Sequence, residues 1–154
     1  MAAELAATRP ELTGGLVLLA PTVDPGARSK ARHALRWLLT VPFERPSLQR
    51  VILRDYRDAG LTRVRDTSQF ALDDRIEYKL PRIDAPVLVV RGSRDRVVPQ
   101  RWAEDAAALA PQGRLHTIRG APHCLNFSVP EKVAALVGAF TRDLAQRRGQ
   151  PSGA

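Results

Sequence analysis

The sequence is poor in the residues that build disulfide frameworks, base-stacking surfaces and membrane spans. Its 154 residues include one cysteine, Cys124, which excludes an internal disulfide and a zinc site made of several thiolates. Aromatic residues make up 5% of the chain, too few for a surface on which bases could stack. No apolar run approaches the roughly 18 residues that span a bilayer, and the opening MAAELAATRP lacks the pattern of a signal peptide. Packing alone must stabilise the fold, and a reducing cytoplasm is the expected localisation.

The sequence also lacks a cluster of positive charge, although it is basic overall. Its 24 Lys and Arg residues against 16 Asp and Glu residues leave a net charge of +8, and the arginines are spread from Arg9 to Arg148. A nucleic-acid-binding protein would gather this excess on one face. We therefore expect an arginine-rich surface exposed to solvent, with neither a nucleic acid nor a membrane as partner.

What is present is the alternation of an α/β fold. Hydrophobic residues make up 44% of the chain, enough for one core. Short apolar runs predict buried parallel strands, and helical spacing predicts flanking helices. The predicted strands cover residues 15–20, 87–90 and 115–118, and the predicted helices cover residues 1–9, 102–109 and 130–146. Strand, helix, strand and helix in this order predict a parallel sheet with right-handed crossovers.

The segment between the first two predicted strands has helical texture throughout. Leu48, Val51, Ile52 and Tyr56 follow the i, i+3, i+4 spacing of an amphipathic helix. A weaker helical stretch follows, and Gly60 is expected to separate the two. We expect the larger apolar side chains of this segment to form mainly its own core, with the wall of an apolar substrate pocket as the alternative: Trp37, Leu38, Phe43, Tyr56 and Phe70.

Two loops carry groups suited to chemistry. Asp95 lies in RGSRDRVVP, directly after the second predicted strand, and His123 ends RGAPH, directly after the third. In an open parallel sheet both turns lie at the edge formed by the carboxyl ends of the strands. We therefore expect a hydrogen bond between the Asp95 carboxylate and the His123 imidazole. Such a bond fixes the imidazole tautomer and leaves the other ring nitrogen as a base for a hydroxyl group.

Other side chains are weaker candidates for a catalytic role because of their positions in the sequence. Asp95 alone could be an ordinary turn residue, and its pairing with His123 favours the catalytic interpretation. His33 and His116 are expected to be structural or exposed, and Cys124 adjoins His123 in the chain, where neighbouring side chains diverge. Asn126 is expected to make a local turn contact. No serine lies on a strand-turn-helix elbow among Ser29, Ser47, Ser68, Ser93 and Ser128.

The two loops and the start of the chain resemble the α/β-hydrolase superfamily, most closely its branch of esterases, lipases and carbon-carbon bond hydrolases. APVLVVRGSRDRVVP, from Ala85 to Pro99, and GAPHCLNFSVPE, from Gly120 to Glu131, resemble the ends of strands seven and eight. ELAATRPEL and GLVLLAP resemble the helix after the nucleophile elbow and strand six. The resemblance implies four segments: the end of that helix with strand six (1–24), a helical cap (25–80), the C-terminal core (81–146) and a disordered tail (147–154).

The same resemblance implies a mechanism. A serine would attack an ester or related acyl bond of a small apolar substrate, His123 would carry its proton and Asp95 would orient His123, without a metal or an organic cofactor. The G-x-S-x-G elbow that holds this serine is missing from the sequence, and in the family register it would fall roughly five residues before Met1. We therefore expect a truncated hydrolase that is inactive on its own.

Two alternatives remain open on the sequence. The chain could be a non-catalytic remnant or interaction module that pairs the open edge of its first strand with a separate N-terminal half, and that edge would also promote self-association. The chain could also be a haloperoxidase-like or dehalogenase-like member of the same fold. The identity of the missing nucleophile would distinguish these enzymes, serine in the first and aspartate in a dehalogenase.

Overall fold

Three parallel strands with helices on both sides form the centre of the protein. The structure is a computed structural model that describes residues 2–21 and 23–149. The described strands lie in the order β1 (Leu16–Leu19), β2 (Val87–Gly92) and β3 (Gly113–Ile118). Val87 is aligned with Leu16 on one side and with Gly113 on the other, so all three strands run in register. This architecture confirms the predicted α/β fold.

The helices follow the predicted order closely. They are α1 (Ala2–Thr8), α2 (Lys30–Thr40), α3 (Pro46–Asp73), α4 (Ile76–Lys79), α5 (Gln100–Leu109), α6 (Leu125–Ser128) and α7 (Pro130–Gly149). Helix α7 continues to Gly149, so it includes the first three residues of the expected tail. Residues 150–154, like Met1 and Thr22, lie outside the described residues. None of the described helices is both long and apolar enough to cross a membrane.

Strand β2 is the centre of the core because every one of its residues is buried. Since side chains alternate along a strand, Val87 and Val89 face one side of the sheet and Leu88 and Val90 face the other. The first pair packs in a cluster with residues of α1, α4 and α5, including Trp102. The second pair packs with residues of β3, α6 and α7. The long apolar run of β2 thus reflects burial on both faces.

Strand β1 is more exposed than predicted. Its apolar sequence indicated burial on both faces, but only Leu16 is buried, and Leu19 is 37% exposed. Among the described residues β1 pairs with β2 alone, so its other side is an open edge. Directly after it, Ala20 has a φ of 48°, a left-handed conformation that strains any residue with a β-carbon.

The segment between β1 and β2 is helical, as expected, and it bends at the expected residue. Gly60 interrupts α3 with φ 77° and ψ 154°, so the two halves of this helix meet at a kink. The prediction that the apolar side chains form a core of their own is wrong. Leu38 is 67% exposed, Tyr56 51% and Phe70 75%, because α2 and α3 border an open groove instead of enclosing a core.

The open edge of β1 generates a prediction about association. Unpaired N–H and C=O groups beside the exposed Leu19 favour pairing between copies, so we expect the sedimentation coefficient to rise with protein concentration. Leu19→Lys should reduce this association, because a lysine on an edge strand opposes pairing. Leu109→Lys is the matched control, since Leu109 is 36% exposed but lies on α5. Equal behaviour of the two variants would show that the edge is not responsible.

Candidate active site

The structure brings Asp95 and His123 into contact at the carboxyl edge of the sheet. Asp95 lies in the turn after β2 and His123 in the loop after β3, and these strands end side by side, with Gly92 aligned with Ile118. Oδ2 of Asp95 lies 2.8 Å from Nδ1 of His123. The Asp95 side chain is fully buried, whereas that of His123 is 17% exposed. The two residues therefore form a carboxylate–imidazole pair whose imidazole can be reached from outside.

The Asp95 carboxylate is held by hydrogen bonds that leave one oxygen for the imidazole. Its Oδ1 accepts bonds from the backbone N–H groups of Val97 and Val98, at 2.8 and 2.9 Å. The buried side chain of Arg91 donates to the Asp95 carbonyl at 2.9 Å and to the Val98 carbonyl at 3.0 Å. A solvated turn residue has no such setting. These bonds compensate for the cost of burying a carboxylate and fix its direction.

A close approach of two backbones sets the distance between the loops. A β-carbon on Gly92 would lie 2.2 Å from the carbonyl oxygens of both Ala121 and Pro122. Beside this contact, the N–H of Ser93 donates to the Ile118 carbonyl at 3.0 Å, and that of Arg94 donates to the Ala121 carbonyl at 2.9 Å. Glycine is therefore required at position 92, and the His123 loop packs directly on the Asp95 turn.

The helical segment contacts both loops. Thr40 Oγ1 accepts a hydrogen bond from the backbone N–H of Arg96 at 3.3 Å. The Trp37 ring packs edge-on against the His123 ring, with 5.1 Å between centroids. Glu44, which is 6% exposed, accepts from the backbone N–H of Cys124 at 2.8 Å. The end of α2 and the turn after it therefore lie over the carboxylate–imidazole pair.

The second ring nitrogen of His123 is available for proton transfer. Nδ1 faces Asp95, and Nε2 has no hydrogen-bond partner among residues 2–21 and 23–149. A carboxylate that accepts the proton of Nδ1 leaves Nε2 unprotonated, which is the state of a general base. The arrangement can thus take a proton from a hydroxyl group placed beside Nε2.

The other histidines lie in different surroundings. His116 is exposed on β3. His33 is half-buried in the groove between α2 and α3. Burial lowers the pKa of His33, and the nearby His123 and Arg36 lower it further. His33 is therefore expected to be neutral at pH 7.

The hydroxyl and thiol groups of the described residues do not hydrogen-bond to His123. Ser128 Oγ donates to Glu44, and Ser93 Oγ accepts from the N–H of Gly120. Burial raises the pKa of the Cys124 thiol to about 12, with a further contribution from the negative charge of Glu44. Cys124 is therefore protonated at neutral pH and is a poor nucleophile. Within the described part of the chain, no group of three metal-ligating side chains could hold a metal ion.

A profile of the Alpha/beta hydrolase family matches residues 1–136 of this sequence, most of the chain. The chain belongs to the alpha/beta hydrolase family. This membership confirms the superfamily inferred from the two loop sequences.

Two curated proteins share sequence with this alpha/beta hydrolase chain. A Synechocystis sp. protein named "Putative non-heme chloroperoxidase" is 37% identical over 65 residues, which are 40% of this chain and 22% of that protein. Esterase YbfF of Escherichia coli is 31% identical over 65 residues, 42% of this chain and 26% of the esterase. The matched segment thus spans about a quarter of the length of these relatives.

Solved structures support the same fold over nearly the whole chain. A bacterial membrane phospholipase A, described as a virulence factor, superposes with a TM-score of 0.72 at 23% identity, covering 94% of this chain and 54% of the phospholipase. Est816, described as an N-acyl homoserine lactone degrading enzyme, gives a TM-score of 0.69 at 22% identity, covering 90% of this chain and 62% of Est816. At such identities the likeness establishes the fold alone.

Three residues that hold the two loops of the pair were not predicted from the sequence: Thr40, Glu44 and Arg91. Thr40 and Glu44 contact partners 56 and 80 positions away in the chain, and no periodic pattern indicates such contacts. Arg91 directly follows the apolar run VLVV. This run predicted a strand, but it gave no indication that the Arg91 side chain is itself buried. The signal that could have been used is its position, four residues before Asp95.

Gly92 generates the first prediction for the site. Gly92→Ala should lower the free energy of unfolding by about 2 kcal/mol or more, because the new methyl group meets backbone oxygens that cannot rotate away. Gly138→Ala is the matched control: its methyl group meets only the flexible Arg142 side chain, at 3.5 Å, and alanine favours helix over glycine. Urea unfolding of both variants measures the difference. Similar stabilities would contradict the close approach.

Cys124 generates the second prediction. Because the pKa of its thiol is raised to about 12, the rate of alkylation by iodoacetamide should keep rising with pH through 9 and 10. An ordinary exposed cysteine reaches a plateau above a pKa near 8.5. Mass spectrometry of the modified protein at a series of pH values gives the rate. A plateau near pH 9 would contradict the buried environment of the Cys124 thiol.

Proposed function

We propose that this chain supplies the acid and the base of a Ser-His-Asp triad that hydrolyses an ester or related acyl bond. Asp95 is the acid and His123 is the base. The observation that carries the proposal is the 2.8 Å contact between the buried Asp95 carboxylate and Nδ1 of a partly exposed His123, with Nε2 unpartnered among the described residues. Family membership and the match to an esterase support the same chemistry.

The proposed reaction assigns one proton path. His123 Nε2 takes the proton of the attacking serine and later gives it to the leaving group, while the Asp95 carboxylate stabilises the imidazolium that forms between these steps. Three hydrogen-bond partners surround the two oxygens of the Asp95 carboxylate: the N–H groups of Val97 and Val98 and the imidazole. The attraction between a carboxylate and an imidazolium is stronger in a buried site than in water.

The serine of the proposed triad is supplied from outside these 154 residues. The sequence contains no G-x-S-x-G elbow, and no described hydroxyl group contacts His123. The open edge of β1 is where further strands of the family's sheet would continue, and the chain covers 54% to 62% of the solved hydrolases described above. We propose that the 154 residues alone have little or no esterase activity.

The proposed substrate carries an apolar group. A groove of about 480 Å³ lies between α2 and α3, and Trp37, Leu38, Tyr56 and Val64 form part of its apolar wall. Trp37 joins this groove to the base, because its ring also contacts the His123 ring. In this proposal residues 25–80 act as a cap that places the apolar part of an ester next to His123, between the core segments 1–24 and 81–146.

A second candidate function is favoured by the relative named as a chloroperoxidase, which matches 40% of this chain. The same pair of residues would then serve a cofactor-free haloperoxidase. A dehalogenase would instead need an aspartate in place of the serine. A third candidate is a non-catalytic module that pairs the β1 edge with a separate N-terminal half, and co-purification of such a half with an inactive complex would favour it.

The enzyme proposal is tested by restoring the missing strands and the G-x-S-x-G elbow on a longer chain. That protein should hydrolyse p-nitrophenyl butyrate, and His123→Ala should lower kcat/KM by about a thousandfold or more. His116→Ala is the matched control and should retain activity, because His116 is exposed on β3. Hydrolysis by the His123 variant at the parent rate would reject the role. Peroxide-dependent bromination of monochlorodimedone without ester hydrolysis would favour the haloperoxidase.

A further inference from the structure

Glu44 is a buried carboxylate that the proposed triad does not use. It directly follows the short turn Val41–Phe43 at the end of α2 and is 6% exposed. Both of its oxygens are engaged on the loop that carries His123. Oε1 accepts a hydrogen bond from the backbone N–H of Cys124 at 2.8 Å, and Oε2 accepts one from the Ser128 hydroxyl at 3.0 Å.

These partners are unusual for a buried carboxylate. Among residues 2–21 and 23–149, no lysine, arginine or histidine forms an ion pair with Glu44. Its negative charge is stabilised by neutral donors alone, which compensate less well for burial than a cation does. An apolar side chain of the same size would fill the space without this cost. The presence of a carboxylate at this buried position is therefore explained by the groups that its two hydrogen bonds hold in place, and not by packing.

The two bonds act on both sides of the His123 loop. Cys124 is the next residue after His123, so its N–H belongs to the peptide group that joins the two. Ser128 ends α6, the single helical turn that follows. Between these points the His123 carbonyl accepts from the N–H of Leu125 at 2.8 Å. Glu44 thus fixes the backbone directly after His123 and the helical turn that supports it.

We propose that Glu44 is a positioning residue that keeps the His123 imidazole in hydrogen-bond contact with Asp95 by holding the Cys124 N–H and the Ser128 hydroxyl. The inference rests on the proposed pairing of Asp95 with His123. It adds a function for the helical segment, which controls the orientation of the base from 80 positions away in the chain. Thr40 makes the equivalent contact on the other loop, through the N–H of Arg96.

The charge of Glu44 has a second effect at the same loop. Burial raises the pKa of the Cys124 thiol, and the nearby Glu44 carboxylate raises it further. A thiolate beside the base would compete with the serine as a nucleophile. Burial and, to a smaller extent, the Glu44 carboxylate therefore favour the protonated, unreactive form of the thiol next to His123.

The experiment follows the His123 ring in the 154-residue protein by NMR. With ¹⁵N-labelled histidine, the ring shifts report the tautomer, and the exchange of the Nδ1 proton with water reports the bond to Asp95. Glu44→Ala removes two hydrogen bonds from this loop and should speed the exchange roughly tenfold or more. Glu44→Gln should restore most of the protection, because its amide oxygen can still accept from Cys124. Ser128→Ala should give a smaller acceleration in the same direction.

Three controls separate positioning from general destabilisation. Glu77→Ala removes another hydrogen-bonded carboxylate, the partner of Arg28, and should leave the exchange of the His123 proton unchanged. Asp95→Asn should abolish the protection, which tests the proposed pair independently. Urea unfolding and circular dichroism establish that each variant is folded.

The outcomes distinguish the two proposals. If Asp95→Asn speeds the exchange of the His123 proton and Glu44→Ala does not, the positioning role alone is overturned. Equal changes in this exchange rate for Glu44→Ala and Glu77→Ala would overturn it as well. No effect of Asp95→Asn would overturn the pairing itself. If Glu44→Ala does not fold, the Ser128→Ala variant tests the positioning role instead. In that case an exchange rate of the His123 proton equal to that of the wild type would overturn the proposal.

Discussion

The parallel pairing of β2 with β3 is the constraint on which the candidate site depends. It ends both strands at one edge, where Gly92 is aligned with Ile118. The absence of a side chain at Gly92 then lets the backbone of residues 121–122 approach the turn that holds Asp95. A carboxylate and an imidazole 28 positions apart in the chain thereby meet without any distortion of the strands. A shift in strand register, or a larger distance between the two turns, would separate the carboxylate and the imidazole by more than the length of a hydrogen bond.

Burial of a charge determines much of the surrounding structure. Asp95 is completely enclosed, and an ionised carboxylate tolerates this position only where donors replace the water it has lost. The backbone of Val97 and Val98 supplies two donors and His123 supplies the third. The Arg91 guanidinium in turn fixes the carbonyls of the same turn. Within the sequence RGSRDRVVP, the buried side chains of Arg91 and Asp95 thus each have specific hydrogen-bond partners.

The sequence predicted those features that depend on local chemistry. The apolar run of β2, the predicted strand β3 and the turn residues after both led directly to Asp95 and His123, because strand ends and turns leave short-range patterns. The roles of Thr40 and Glu44 were not predictable, since their partners are 56 and 80 positions away. The apolar residues of α2 and α3 were misassigned to a core for a related reason. Spacing shows that a helix has an apolar face, but it does not show whether that face meets a partner or borders a groove.

The helical segment connects the groove between α2 and α3 to the carboxylate–imidazole pair. Trp37 lines the groove and also contacts the His123 ring, while Thr40, one turn further along α2, holds the Asp95 turn. Because Trp37 and Thr40 lie one turn apart on the same helix, a ligand that moves Trp37 would also move Thr40. A substrate that fills the groove would therefore affect the geometry of the pair through the same helix that binds it. This coupling gives a physical reason for buried polar contacts between the helical segment and the two loops, which apolar packing alone would not provide.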